Sequence, residues 1–278
     1  MCCHFIRFIR DNIRKILKEN ASCKYSRLFI GRSFRCVMLR LTTLDVTNTL
    51  LRFARAPEEQ YAAIAQLYGL NPDPKKLGSA FRATFKHFEK EFPYYGASSI
   101  GWQNWWLSVV ADTFRKSGCN ADDATLRTVG CHLNKHYSQG SAYELVEGTV
   151  PLLKKLTNKS NKIGVISNSD ERISGILCQL GLGHYFDFVL TSYSFSCSKP
   201  DPKIFTKALE AAGGEIQPSE ALHIGDDVYR DYLGARACGW KSFLVTKNLH
   251  KECEKEGLKI DTLSMFTSLY ELLEALND

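Results

Sequence analysis

Five short apolar runs alternate with segments of helix length, and no other feature of this sequence restricts the fold as much. The runs are Leu39 to Asp45, Lys162 to Asn168, Phe186 to Ser192, Ala221 to Asp226 and Ser242 to Thr246. Within them, Ile163-Gly164-Val165-Ile166 and Leu222-His223-Ile224 are mostly continuous rather than alternating, as in strands covered on both faces. Glu171 to Leu180, Pro202 to Ala212 and Tyr229 to Ala237 have the length of crossover helices, with Gly181, Gly213 and Gly239 as stops. Pro202 occupies a first-turn position, where its fixed φ is favourable. The pattern predicts an α/β fold: a Rossmann-like doubly wound parallel sheet of about five strands.

One interval breaks the alternation. From about Pro57 to Val146 the apolar spacing is helical, with Tyr61, Ile64, Ala65 and Tyr68, then Leu77, Phe81, Phe85 and Phe88. Residues 57–146 therefore form an inserted helical module, leaving 38–56 and 147–278 as the core. Asn71-Pro72-Asp73-Pro74 separates its first two helices, and Phe92-Pro93-Tyr94-Tyr95-Gly96 forms a loop. Trp102, Trp105 and Trp106 read first as core aromatics rather than a ligand platform.

Charge marks a further boundary. The chain of 278 residues has a net charge of +6, yet residues 1–37 hold nine basic and two acidic side chains. The other 241 residues hold 27 basic and 28 acidic ones, so the body is not a basic nucleic-acid-binding domain. In the extension, Phe5, Ile6, Ile9, Ile13, Ile16 and Leu17 fall on one helical face opposite Arg7, Arg10, Arg14, Lys15 and Lys18. Residues 5–18 thus read as a membrane-surface helix or a mitochondrial transit segment, or else Met38 is the usual start and the extension is occasional. The ten cysteines are irregularly spaced without a C-x-x-C pair, which favours reduced thiols and a cytoplasmic protein, with a mitochondrial alternative. The sequence carries no signal for oligomeric state.

In open α/β sheets, ligands bind outside the carboxyl ends of the strands, and four strand ends here are polar. Asp45, at the first, is placed to attack an electrophile or hold a metal, and the turn Val46-Thr47-Asn48-Thr49 offers backbone N–H groups to an anion, although a capped turn explains the same residues. Ser167-Asn168-Ser169-Asp170 follows the second, where Ser167 either donates to a phosphoryl oxygen or caps a helix. Lys199 sits in Ser198-Lys199-Pro200-Asp201-Pro202, a stiff turn that could fix its ammonium against a phosphate. Asp226, Asp227 and Asp231 follow the fourth apolar run, and three carboxylates in six residues invite a hard divalent cation.

Together and in this order the four segments resemble the haloacid dehalogenase-like hydrolase superfamily. Its motifs are D-x-D-x-T, a Ser or Thr, a Lys in a K-P-D-P-like turn, and G-D-x-x-x-x-D, with a cap domain between the first and second. The resemblance covers about residues 38–250. The Phe-Pro-x-Tyr-Gly loop, the Trp-Trp pair and Phe186-Asp187-Phe188-Val189-Leu190-Thr191-Ser192 resemble one subgroup in particular.

The resemblance implies a Mg²⁺-dependent, phosphatase-like hydrolase acting on a small phosphorylated molecule. It implies Asp45 as nucleophile, with Lys199 screening it, and Ser167, Asn168, Lys199 and Thr49 as phosphate-binding residues. Asp45, the Thr47 carbonyl, Asp226, Asp227 and Asp231 would be metal donors. Arg82, Lys86, His87, Tyr94 and Tyr95 are candidate cleft residues in the cap. One departure matters: family phosphatases place a second Asp two residues after the nucleophile, and this chain has Thr47. A hydroxyl is a poor acid or base near neutral pH, and Asn48 is a neutral amide. Since general acid–base catalysis contributes ~10²–10⁴-fold, the implied enzyme is slow, or the chain is an impaired member that binds a phospho-ligand or a protein.

Overall fold

The computed structural model describes residues 38–157, 161–247 and 261–276. The amphipathic extension, residues 1–37, and the charged run around Lys251-Glu252-Cys253 lie outside the described residues. A six-stranded parallel sheet forms the core. Its strands are β1 (Leu41–Leu44), β4 (Lys162–Ser167), β5 (Phe188–Thr191), β6 (Ala221–Gly225), β7 (Lys241–Val245) and β8 (Met265–Phe266). They lie in the order β5-β4-β1-β6-β7-β8. All five expected strands form, trimmed by one or two residues at most ends. β8 escaped the sequence reading because two residues are too short to show a period.

Strand β1 is flanked by β4 and β6, with Leu44 level with Val165 and Ile224. Chain order reverses on either side of it, so its carboxyl end opens into the crevice of a topological switch point. The residue after β1 is Asp45, anchored by its N–H to the Ile224 carbonyl at 2.9 Å.

Helices α5 (Thr149–Thr157), α6 (Arg172–Gln179), α7 (Pro202–Ala211) and α9 (Leu269–Ala275) cover the sheet. Leu152, Leu153, Leu156, Ile173, Ile176, Leu177, Leu269 and Leu272 pack with Leu44, Val165, Leu222 and Ile224 in one cluster. Ile204, Phe205 and Ala208 pack with Leu41, Ile166, Leu190 and Trp240 in another. This two-sided cover is why β4 and β6 are apolar without alternation. Asp201 caps α7 by accepting the Lys203 N–H at 2.9 Å, and Pro202 takes the first turn. Helix α8 begins as a π-helical stretch, Val228–Leu233, before Gly234–Ala237. Such wide turns often occur at functional sites.

The interval between the first two core strands is helical, with α1 (Pro57–Gln66), α2 (Pro74–Glu91), α3 (Gly101–Lys116) and α4 (Asp123–His136). Tyr61, Leu77, Phe114, Leu126 and Leu133 are its buried centre. It also carries a feature the sequence reading missed. β2 (Leu51–Phe53) and β3 (Tyr143–Leu145) pair antiparallel across its base, Arg52 opposite Glu144. Three-residue strands 90 residues apart leave no local signal. Among the described residues, no helix is long and apolar enough to cross a membrane.

Gly164 in β4 illustrates how tightly the sheet is covered: a Cβ there would overlap the Phe188 ring on β5. Gly164→Ala should lower stability by about 1–3 kcal/mol in urea denaturation. Combining it with Phe188→Leu should recover part of that loss; equal loss in the single and double variants would show that the overlap is not its cause.

Candidate active site

The turn after β1 closes on itself. The N–H groups of Thr49, Leu50 and Leu51 donate to the Val46 carbonyl, and that of Asn48 to the Leu51 carbonyl at 2.6 Å. The donors at Asn48 and Thr49 are thus engaged internally, which narrows the expected anion-facing N–H groups of the turn to those of Val46 and Thr47. Asn48 holds a left-handed conformation, φ 63°, which asparagine tolerates better than most residues. Its side-chain amide is close enough to the Asp226 carboxylate to oppose, in part, the burial and charge that push that group up.

Lys199 is the centre of the site. It is 3% exposed, and Nζ lies 2.6 Å from Asp45 Oδ1, 2.6 Å from the Ile166 carbonyl and 2.7 Å from Asp231 Oδ1. Three acceptors match the three N–H bonds of an ammonium. Burial pulls Lys199 down, but Asp231 and Asp45 outweigh it and hold the side chain above its usual range. Burial also pushes Asp231 up, yet Lys199 and the His223 hydrogen bond hold it well below the usual carboxylate range. Burial raises Asp45, with Lys199 opposing and Asp231 adding to the effect.

Behind Asp231 stands His223, fully buried, with Nε2 3.0 Å from Asp231 Oδ1 and Nδ1 2.8 Å from Thr43 Oγ1. Burial depresses His223, so the neutral ring donates from Nε2 and accepts the Thr43 hydroxyl at Nδ1. Asp231 Oδ2 accepts the Asp227 N–H at 3.0 Å. A Cβ on Gly225 would overlap the Asp231 carboxylate, so glycine in the G-D pair makes room for the second acid.

Asp45, Asp226 and Asp231 each present an oxygen within 4.8 Å of the others. Burial and the charges of Asp45 and Asp231 raise Asp226 to about 7. A crowded set of hard oxygen donors with one carboxylate pushed up fits a divalent cation such as Mg²⁺, which would relieve that repulsion.

Three expected site residues take other parts. Asp227 accepts the Tyr229 and Arg230 N–H groups at 2.9 and 2.7 Å and pairs with Arg230, so it caps α8 and its carboxylate is engaged away from the acidic cluster. The Asn168 side-chain amide clamps Lys199, although the residue also lines the cleft: Oδ1 accepts the Lys199 N–H at 2.8 Å and Nδ2 donates to the Lys199 carbonyl at 2.9 Å. Thr49 is fully buried, with Oγ1 3.4 Å from Asp45 Oδ2. Such side chains look like ligands in sequence because a motif gives position along the chain and not the direction of the side chain.

A cleft of about 310 Å³ opens over these residues, bordered by Asp45, Thr47, Ser167, Lys199, Asp226 and Asp231 at one end. Of the cap residues expected there, Tyr95 lines it; Arg82, Lys86, His87 and Tyr94 are not among its lining residues. The sequence reading missed Ser169, whose hydroxyl lies buried without a partner in the described structure, and Arg172. Trp105 is core, as expected, but Trp102 and Trp106 bridge from α3 to the loop after β4. Trp106 Nε1 donates to Asp170 Oδ2 at 2.8 Å and Trp102 Nε1 to Glu171 Oε1 at 2.6 Å.

A sheet of this order, with these residues at its switch point, makes a family comparison decisive. Residues 39–239 match the family model of haloacid dehalogenase-like hydrolases. The chain belongs to the haloacid dehalogenase-like hydrolases. It is 38% identical to the Rhythmically expressed gene 2 protein of Drosophila melanogaster over 248 residues, 86% of this chain and 95% of that one. It is 39% identical to haloacid dehalogenase-like hydrolase domain-containing protein 3 of Homo sapiens over 210 residues, 75% and 82% of the two chains. The resemblance drawn from four short motifs is thus borne out.

Solved structures share the fold of this haloacid dehalogenase-like hydrolase. The 2-haloacid dehalogenase of Pseudomonas syringae has a TM-score of 0.57 at 23% identity, covering 86% of this chain and 99% of its own. The magnesium-bound HAD-hydrolase YfnB of Bacillus subtilis has a TM-score of 0.63 at 17% identity, covering 87% and 100%.

Asp226 supplies a pH test. Burial and the neighbouring carboxylates push it up to about 7 in the folded state, from the usual aspartate value of about 4, so without metal it favours the folded state at low pH. That contribution is lost as pH rises from about 4 through about 7. Asp226→Asn should therefore raise stability in EDTA at pH 8 by about 1–3 kcal/mol and leave it nearly unchanged at pH 4. It should also abolish Mg²⁺-induced stabilisation at pH 8. Thermal unfolding at the two pH values checks both; a loss of stability at pH 8 in EDTA would contradict the assignment.

Proposed function

We propose that this hydrolase transfers a phosphoryl group from a small phosphorylated molecule to Asp45 and hydrolyses the aspartyl-phosphate slowly. The observation that carries the reading is the placement of Lys199 2.6 Å from Asp45, beside carboxylate oxygens of Asp226 and Asp231, at the mouth of a small cleft. Phosphoryl transfer needs positioning and charge neutralisation more than covalent participation. Asp45, Asp226 and Asp231, with the Thr47 carbonyl, would hold Mg²⁺, which supplies charge neutralisation to the phosphoryl oxygens. The acidic cluster favours this over the metal-free chemistry of haloacid dehalogenation.

In the first step the Asp45 carboxylate attacks phosphorus and the bond to the leaving oxygen breaks. Lys199 holds Asp45 in place and lessens its repulsion of an anionic substrate. Ser167, 2% exposed at the cleft wall, donates to a phosphoryl oxygen. The leaving oxygen takes its proton from water, because Thr47 offers no acidic group. In the second step water attacks the phosphorus of the aspartyl-phosphate, again unassisted at residue 47, and inorganic phosphate departs.

A second reading, a cleft that binds a phosphorylated ligand without turnover, is favoured by one feature. Apart from the acidic cluster, the carboxylate on the cleft wall among the described residues is Asp170, and Arg172 and Trp106 already engage both its oxygens. Nothing there substitutes for the missing acid.

Phosphate release with Mg²⁺ separates the readings. The wild-type chain should be slow but measurable, Asp45→Asn inactive, and Thr47→Asp faster by about 10²-fold or more. Acid quenching during turnover should trap a base-labile phosphoenzyme that Asp45→Asn lacks. Wild-type release no greater than that of Asp45→Asn would sink the enzymatic reading.

A further inference from the structure

Away from Asp45 the cleft changes character. Its wall there is formed by Phe53, Phe81, Phe85, Tyr95, Trp106 and Tyr143. These are not the buried centre of the helical module, which is Trp105, Phe88 and Val109 with the cluster around Phe114. Phe81, Phe85, Tyr95 and Trp106 pack against that centre and remain partly exposed on the cleft side. Phe53 stands 38% exposed, stacked on Tyr143 at 5.4 Å between ring centroids. Phe81 and Trp106 lie nearly parallel, 6.4 Å apart.

Charge at this end is balanced internally. Arg172 Nε and Nη2 donate to the two oxygens of Asp170 at 2.8 and 2.7 Å, and its guanidinium lies 4.8 and 5.3 Å from the ring centroids of Trp102 and Trp106. Asp170 also accepts the Trp106 Nε1–H and the Arg172 backbone N–H. The pair is neutral, its carboxylate saturated, its cation stacked. A second anionic group on a ligand would meet no uncompensated charge here, and a polyhydroxylated one would have to desolvate against aromatic faces.

We infer that the cleft selects phosphomonoesters whose organic part is small, uncharged and flat, an arylalkyl phosphate rather than a sugar phosphate or a phosphorylated acid. The inference rests on the phosphoryl-transfer reading for the Asp45 end. Aromatic faces gain from burying a ring through area and through offset or edge contacts. A volume of about 310 Å³ is near the lower limit of ordinary ligand clefts, which fits a single ring better than a nucleotide.

The test compares equilibrium binding of benzylphosphonate, methylphosphonate and phosphonoacetate to the full chain with Mg²⁺, by calorimetry. All three carry the same phosphonate and none can be hydrolysed at its C–P bond in this chemistry. Benzylphosphonate should bind about 10- to 100-fold more tightly than either of the others. The preference should fall several-fold in Phe85→Ser and in Phe53→Ser, whose exposed position makes misfolding a poor explanation. Equal binding of benzylphosphonate and methylphosphonate overturns the inference, as does tighter binding of phosphonoacetate, which would assign Arg172 to a second anion. An unchanged preference in both folded variants overturns it too.

Acetyl phosphate, which has no ring to bury, reports separately on the chemistry. Turnover that requires Asp45, without a benzyl preference, overturns the substrate class and keeps phosphoryl transfer. A benzyl preference without turnover does the reverse.

Discussion

Everything at the switch point depends on one buried ammonium. Lys199 sits inside the protein with three acceptors, two of them carboxylates from different strand ends and the third the Ile166 carbonyl of β4. An unpaired charge there would be prohibitive, and breaking such a buried pair typically costs about 3–5 kcal/mol. The contact therefore ties the ends of β1 and β4 and the first turn of α8 into one arrangement. His223 and Thr43 extend it through the sheet, and Asn168 grips the Lys199 backbone from the other side.

The electrostatics follow from that contact. Asp231 is held ionised by Lys199 and His223, while Asp226, with less compensation, is pushed up to about 7. One lysine cannot balance three carboxylates in so small a space, and the excess negative charge is the kind a divalent cation would relieve. The limit of the site is equally local: around Thr47 the cleft carries charge from Lys199 and the acidic cluster and no carboxylate at residue 47 to move a proton.

The second organising contact joins the helical segment to the core. Tyr95 donates to the Asn168 carbonyl at 2.8 Å, Trp106 to Asp170 and Trp102 to Glu171, all within the short loop after β4. Ser167, the last residue of β4, and Asn168 adjoin these contacts, so residues at the aromatic end of the cleft and at its acidic end are neighbours along the chain. Tryptophans that looked like simple core owe this to the amphipathic nature of the ring, one face packed and the N–H reaching a carboxylate.

Strands β1, β4, β5, β6 and β7 and helices α6 and α7 were legible in the sequence because a covered parallel strand and a capped crossover helix each leave a local, periodic trace. Asp45, Lys199, Asp226 and Asp231 were legible because the four segments stand in a fixed order, and that order also revealed the missing acid at Thr47. Tertiary structure alone decided that Asp227 caps a helix, that Asn168 clamps Lys199, that Thr49 faces Asp45, and that Asp170 with Arg172 forms a neutral pair under two tryptophans. It alone showed β2 paired with β3, and the aromatic half of the cleft. The physical reason is the same throughout. Local sequence sets the backbone's choice of helix, strand or turn, whereas the direction of a side chain and the identity of its partner depend on groups brought together from distant parts of the chain.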